Sequence, residues 1–172
     1  DEKRPLDFHS PYGCSKGSAD QYVRDYARIY GLKTVVFRMS CIYGTRQFGI
    51  EDQGWVAWFT IRAAINKPVT IFGDGAQVRD ILWVKDLVRA YKTAIDAIEQ
   101  VKGEVFNLGG GYENQLSLIE LLDLLNEIRG SPVKLIFSDW RPGDQRVFIA
   151  NTTKAKKLLN WEPSCGPKEG VK

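Results

Sequence analysis

Apolar positions along this chain switch between a helical period and short compact runs. From Ser10-Pro11, a helix cap followed by proline at the first helical position, Ala19, Tyr22, Val23, Tyr26, Ala27 and Tyr30 recur at helical spacing, and Gly31 ends the helix. Residues 34–37 are β-branched and aromatic and predict a buried strand. A polar, glycine-rich loop over 44–54 is long enough to suggest function beyond connection. The pattern then predicts a helix over 55–65, stopped before Pro68, and a strand over 69–72 that runs into the turn Gly73-Asp74-Gly75. Residues 81–84 read as a short strand. Leu87, Val88, Tyr91, Ala94, Ile95 and Ile98 mark an amphipathic helix, with Asp86 at its favourable N-terminal end. A strand over 105–108 enters Gly109-Gly110-Gly111. Ser117 and Glu120 form a capping box for a helix that carries Leu121, Leu122, Leu125 and Ile128 and closes at Gly130. A strand over 133–137 and a short helix over 153–159 follow. Strands and helices alternate throughout, so the class is α/β.

Composition narrows the picture. A length of 172 residues, 44% of them hydrophobic and 26% charged, suits one ordinary globular domain. A net charge of +3 gives no argument for nucleic acid or an anionic membrane, and no apolar run approaches a membrane span. Cys14, Cys41 and Cys165 are odd in number and lack metal spacing, so they are expected as reduced thiols in a cytoplasmic protein. With His9 as the one histidine, a multi-histidine metal site is excluded, and no metal is expected. His9 itself reads as a loop residue.

The chemistry that stands out is Tyr12-x-x-x-Lys16 at the start of the first helix. That spacing puts phenol and ammonium on one helical face. A nearby ammonium and the helix N-terminus both favour the phenolate, which would let Tyr12 move a proton to or from a substrate hydroxyl. Arg79 and Arg141 offer planar forks of donors that match phosphate oxygens two at a time. The alternative for Arg79 is an ion pair with a nearby Asp. Trp55 and Val56 open a helix, where free N–H groups suit an anion. Phe59 reads as core, and Phe72 as either core or part of a site. Asp144 could accept hydrogen bonds from a ligand or cap a turn. Gly109-Gly110-Gly111 follows a strand, but without a G-x-G-x-x-G pattern it reads as a turn that lets the chain pass close to a pocket.

The joint order of these motifs resembles the C-terminal half of the extended short-chain dehydrogenase/reductase family, the NAD(P)-dependent epimerases and dehydratases of nucleotide sugars. It runs from Tyr12 and Lys16 through 38–44, Gly73-Asp74-Gly75, Arg79-Asp80 and 106–109 to Arg141-Pro142-Gly143-Asp144. The resemblance implies the C-terminal part of a Rossmann-type doubly wound sheet plus a small mixed α/β substrate-binding domain. Residues 1–50 would end the NAD-binding domain and 51–172 would mainly bind substrate, with 79–110 partly returning to the first. It implies Tyr12 as acid/base, Lys16 on the nicotinamide ribose, and Met39 and Ser40 beside the nicotinamide. Cys41, Trp55, Val56, Phe72, Arg79, Arg141 and Asp144 would face the nucleotide sugar. Cys41 stands where many relatives carry Asn, and a thiol is the weaker hydrogen-bonding group. Trp83 is expected to pack.

The wording around 40–47 and 52–59 is nearest to members that act on CDP-linked sugars. The implied reaction is epimerisation by transient oxidation and re-reduction of the sugar, with NAD as cofactor. A 4-epimerase, a 4,6-dehydratase or a non-catalytic nucleotide-binding module are the alternatives. Both ends read as cuts within a longer protein, with the main NAD-binding half absent, so little catalysis is expected of the chain alone. A homo-oligomer is expected, through the first helix or through an open sheet edge.

Overall fold

The structure, a computed structural model, describes residues 1–172. Its helices are α1 (Pro11–Tyr30), α2 (Trp55–Ala64), α3 (Val84–Asp96), α4 (Ile98–Val101), α5 (Leu118–Arg129), α6 (Thr153–Leu159) and α7 (Pro167–Val171). The strands are β1 (Val36–Met39), β2 (Cys41–Tyr43), β3 (Val69–Phe72), β4 (Val78–Trp83), β5 (Val105–Leu108), β6 (Gln115–Ser117), β7 (Leu135–Ser138) and β8 (Val147–Phe148). Parallel pairs β1–β5, β2–β4, β3–β7 and β4–β8 dominate, and β6 joins β4 antiparallel. The α/β expectation holds.

Strand β4 is the joint of the molecule. Successive side chains of a strand point to opposite faces. Ile81 enters one core with Val56, Phe59, Val69, Ile71 and Leu121, between α2, α5 and β3. Its neighbour Leu82 enters a second core with Leu87, Phe106, Leu108, Leu159 and Trp161, between α3, α6 and β5. Phe59 is core, as expected.

Local chemistry explains most boundaries. Ser10 caps α1 by accepting from the Gly13 N–H at 3.0 Å, and Gly31 closes it in the left-handed region. The capping box at Ser117 and Glu120 is complete. Several expectations shift, among them the strand expected over 133–137, which lies at Leu135–Ser138. The strand expected at 34–37 begins at Val36, because Thr34 is held in a turn by bonds to Leu32 and Gly103. It is half-buried rather than buried, since β1 pairs on one side only, with β5. Strand β4 starts three residues early: Arg79 and Asp80 hide a strand from any apolar pattern, yet they pair with Leu116 and Gln115. Helix α1 leaves Tyr22, Tyr26 and Tyr30 exposed, in keeping with the oligomer face expected of it. Its contact with the sheet is polar. Buried Asp20 accepts from Arg38 Nε at 2.7 Å and from Nη2 at 3.1 Å.

A second buried carboxylate, Asp86 in the first turn of α3, anchors the segment after α6. It accepts from the Ser164 N–H at 2.9 Å, the Ser164 hydroxyl at 2.6 Å, the Cys165 N–H at 3.0 Å and Arg89 at 2.7 Å, while its backbone oxygen accepts from the Trp161 indole. Burial alone would push the Asp86 carboxyl up. The hydrogen bonds from Ser164, Arg89 and Cys165 outweigh that and hold it below the ordinary carboxylate value of 3.8. A depressed carboxyl contributes stability above its unfolded value and loses it as pH falls through the lower folded value. Melting temperatures are therefore expected to drop as pH falls below about 4. Asp86→Asn should flatten that acid limb in melts recorded between about pH 2 and 6. An unchanged limb would assign the acid sensitivity to other carboxylates.

Candidate functional site

The polar loop of 44–54 meets the loop that holds Arg141 and Asp144, where Arg141 reaches the Glu51 carbonyl and the Asp52 carboxylate. Between them lies a cleft of two adjoining cavities, of about 590 and 210 Å³, which share Gln53, Gly54, Trp55 and Arg79. The larger is walled by Tyr12, Met39, Ser40 and Cys41 on one side and by Gln145 and Phe148 on another. The smaller is walled by Phe72, Arg141 and Asp144. A separate, larger hollow of about 1120 Å³ lies against the N-terminal segment and contains none of the predicted site residues.

Of those residues, Tyr12, Met39, Ser40, Cys41, Trp55, Val56 and Arg79 line the larger cavity, and Phe72, Arg141 and Asp144 join Trp55 and Arg79 on the smaller. Lys16 lines neither. Its ammonium stands over the Tyr12 ring, 5.6 Å from the centroid. Tyr12 itself is 69% exposed at the lip of the cleft. Ser10 and Pro11 set this position by starting α1 one residue before it.

Gly54 opens α2 with φ of 75°, a left-handed conformation that favours glycine, so no side chain caps the N–H groups that follow. Val56 is buried in the first core. Arg79 pairs with Asp144 at 3.3 Å, a partner distant in sequence, rather than with adjacent Asp80. Arg141 pairs with Asp52 at 3.3 Å and lies over the Phe72 ring, 3.7 Å from its centroid. Phe72 is thus a stacking platform for a guanidinium and only half-buried. Trp83 packs on Tyr43, as expected.

Burial pushes the Cys41 thiol up, against the lowering influence of the Trp55 indole and the Arg79 guanidinium. It is held as a neutral thiol on the cavity wall. Ser40 donates its hydroxyl proton to Asp80, whose carboxylate is wholly buried. That same carboxylate accepts from the Gly111 N–H at 3.0 Å and the Ala150 N–H at 3.2 Å. The glycine run is therefore a turn wrapped around a carboxylate. A Cβ at Gly109 would lie 2.2 Å from Asp80 Oδ2, so only glycine fits.

Gln47, Gln53, Gln145 and Phe148 also line the cleft and were not singled out in the sequence. The length of the 44–54 loop was the available signal for the first two. Gln145 and Phe148 arrive through the pairing of β8 with β4, which no local pattern announces.

The family described as NAD dependent epimerase/dehydratase matches residues 1–109. A CDP-paratose 2-epimerase of Salmonella typhi is 49% identical over 99% of this chain and 52% of its own length. A UDP-glucose 4-epimerase of Thermotoga maritima, solved with UDP-glucose, superposes with a TM-score of 0.86 at 41% identity, over 96% of this chain and 52% of the other. A UDP-glucuronic acid 4-epimerase of Bacillus cereus, solved with UDP-glucuronic acid and NAD, does so with a TM-score of 0.86 at 30% identity, over 98% of this chain and 51% of the other. The chain spans about half the length of the relatives it matches. With its α/β fold, its parallel pairs and more than half of its residues covered by the family match, this chain belongs to the NAD dependent epimerase/dehydratase family.

Proposed function

We propose that the cleft binds a nucleotide sugar, CDP-linked by analogy with the Salmonella relative, and that the chain is the substrate-binding and proton-transfer part of an NAD-dependent epimerase. One observation carries this reading: the Tyr12 phenol and the Arg79 guanidinium line a single cavity large enough for a hexose and part of its diphosphate. Arg79 and Arg141 supply positive charge along the cleft, and the start of α2 at Trp55 and Val56, which no side chain caps, opens beside Arg79. A diphosphate would compete with Asp144 for Arg79 and with Asp52 for Arg141. Phe72, which carries the Arg141 guanidinium on one face, would stand at the nucleobase end.

The residues present fit NAD on their side of the site. Tyr12 and Lys16 contact one another only ring to ammonium, so the hydroxyl and the ammonium are both available to a ligand. Met39 and Ser40 form the adjoining wall. Bound NAD would supply the hydride acceptor and donor for a transient oxidation of the sugar. Tyr12 takes the proton from a ring hydroxyl and returns it, and Lys16 holds positive charge beside the phenol.

Val35, Phe37 and Ile42 pack on the second core, which supports placing residues 1–50 with the NAD side and 51–172 mainly with the substrate side, although Cys41 and Tyr43 join the first core. Residues 79–110 are shared, and α6 packs with them. The outward tyrosines of α1 support self-association through that helix. Three free cysteines support a reducing, cytoplasmic setting, and no helix is long and apolar enough to cross a membrane.

Calorimetry with CDP and UDP tests the binding half of the proposal. Wild type should bind, and Arg79→Ala should weaken binding by about 10- to 100-fold, the worth of a charge-assisted hydrogen bond. Equal affinities for the two proteins would remove Arg79 from the site. Absence of binding by wild type would remove the nucleotide-sugar reading for this chain.

A further inference from the structure

The arginine ion pairs of this chain differ in quality. Arg38 ties α1 to β1 by gripping buried Asp20 with two donors, at 2.7 and 3.1 Å, and Arg89 meets Asp86 at 2.7 Å. These are lengths of well-made charge-assisted hydrogen bonds. The two arginines of the cleft are paired more loosely. Arg79 approaches Asp144 only to 3.3 Å, although it also donates to the Val78 carbonyl at 2.9 Å. Arg141 approaches Asp52 to 3.3 Å and the Glu51 carbonyl to 3.5 Å, and no contact of its guanidinium with a protein oxygen is shorter. What fixes Arg141 is a ring. Its guanidinium lies 3.7 Å from the centroid of Phe72, whose face attracts a cation. A group held over a ring uses none of its N–H donors on an oxygen, so those donors are left to whichever anion binds them best.

Asp52 belongs to the 44–54 loop and Arg141 to the loop that follows β7, and both line the smaller cavity with Phe72. Their pair therefore joins two walls of that cavity. The Asp52 side chain is 84% exposed, so water solvates its carboxylate when Arg141 leaves it, and the pair is cheap to break. We infer that Asp52 is an exchangeable counter-anion for Arg141, a strap across the smaller cavity that a ligand's diphosphate displaces and that holds down the affinity of the empty cleft for nucleotides. This assignment rests on the nucleotide-sugar reading of the cleft and adds to it a residue that sets affinity without touching the ligand. A diphosphate wins the exchange because it carries more charge than one carboxylate and offers several oxygens to the planar fork of Arg141.

Calorimetry of the 172-residue chain with CDP and UDP tests the strap through the sign of one substitution. Asp52→Asn keeps the size of the side chain and removes the charge that holds Arg141. It should tighten binding of both nucleotides by about two- to fivefold, the range set by an exposed ion pair. Glu51→Gln is the control. It removes a charge one residue away, from a side chain that meets Arg141 only through its backbone carbonyl, and it should change affinity by less. Both side chains are exposed, so neither substitution opens a core. Unchanged binding by Asp52→Asn overturns the strap, and so does weaker binding, which would put Asp52 among the groups that hold the ligand. Equal tightening by the two variants overturns it too, because that marks the general charge of the loop rather than a displaced partner. In each of these outcomes the wild type binds and the nucleotide-sugar reading stands. A wild type that binds neither nucleotide overturns that reading and the strap with it.

Discussion

Tyr12→Phe is expected to lower turnover of a nucleotide sugar by about 10²- to 10⁴-fold, the range that a positioned proton donor or acceptor contributes. The substitution removes one oxygen and leaves the rest of the site's geometry alone. The ring stays in the first turn of α1, where Ser10 and Pro11 place it, and Lys16 keeps its position over that ring. Because the side chain is largely exposed, the missing hydroxyl leaves no cavity and little change in stability is expected. The effect therefore belongs to chemistry rather than folding, and it should appear in kcat. The measurement is steady-state epimerisation, in whatever length of polypeptide turns over, with thermal melts of the same samples. Turnover by Tyr12→Phe within a few-fold of wild type would take Tyr12 out of the proton transfer.

How much of this was legible in the sequence depends on which interaction placed each residue. Local signals worked where a single residue decides a local conformation. The cap at Ser10, the stop at Gly31 and the box at Ser117 and Glu120 all stand where the residues put them. Patterning worked for the apolar strand β3, which spans its expected residues, and for α6. It failed at β4, because a strand that buries a carboxylate looks polar until the three donors that satisfy it are known. The helical spacing of α1 gave its extent but not its packing, which rests on the buried ion pair of Asp20 with Arg38.

The cleft divides in the same way. The family resemblance put Tyr12, Cys41, Trp55 and Arg79 at one site, and they line one cavity, with Arg141 on its neighbour. The partners of the arginines were not legible, since Asp144 and Asp52 reach them only through the loops that the fold brings together. Nor were Gln145 and Phe148, which depend on a two-residue strand pairing.

The strongest expected effect on stability is at Asp80, the residue that made β4 hard to read. Asp80→Ala should cost about 3–5 kcal/mol, a large share of the ~5–15 kcal/mol that holds a domain together. The loss comes from what stays behind. The N–H groups of Gly111 and Ala150 would remain buried without an acceptor, while Ser40 could still turn to the Asp80 backbone oxygen 2.8 Å away. Asp80→Asn should cost far less. One amide oxygen can accept from both N–H groups, and the amide nitrogen can donate to Ser40. Urea unfolding of both variants separates the cases, and equal costs would show that the three bonds are not what the carboxylate contributes.

The same substitution tests how fold and cleft are joined. Asp80 ties Ser40, on the wall beside Tyr12, to the glycine turn and to the segment that follows β8, while adjacent Arg79 extends from β4 into both cavities. Gly109 can approach only because it lacks a Cβ, so the glycine and the carboxylate define one another. Loosening that knot lets the Ser40 wall and the β8 wall move independently. Asp80→Asn, which keeps the knot, should then retain diphosphate binding under conditions where Asp80→Ala has lost it.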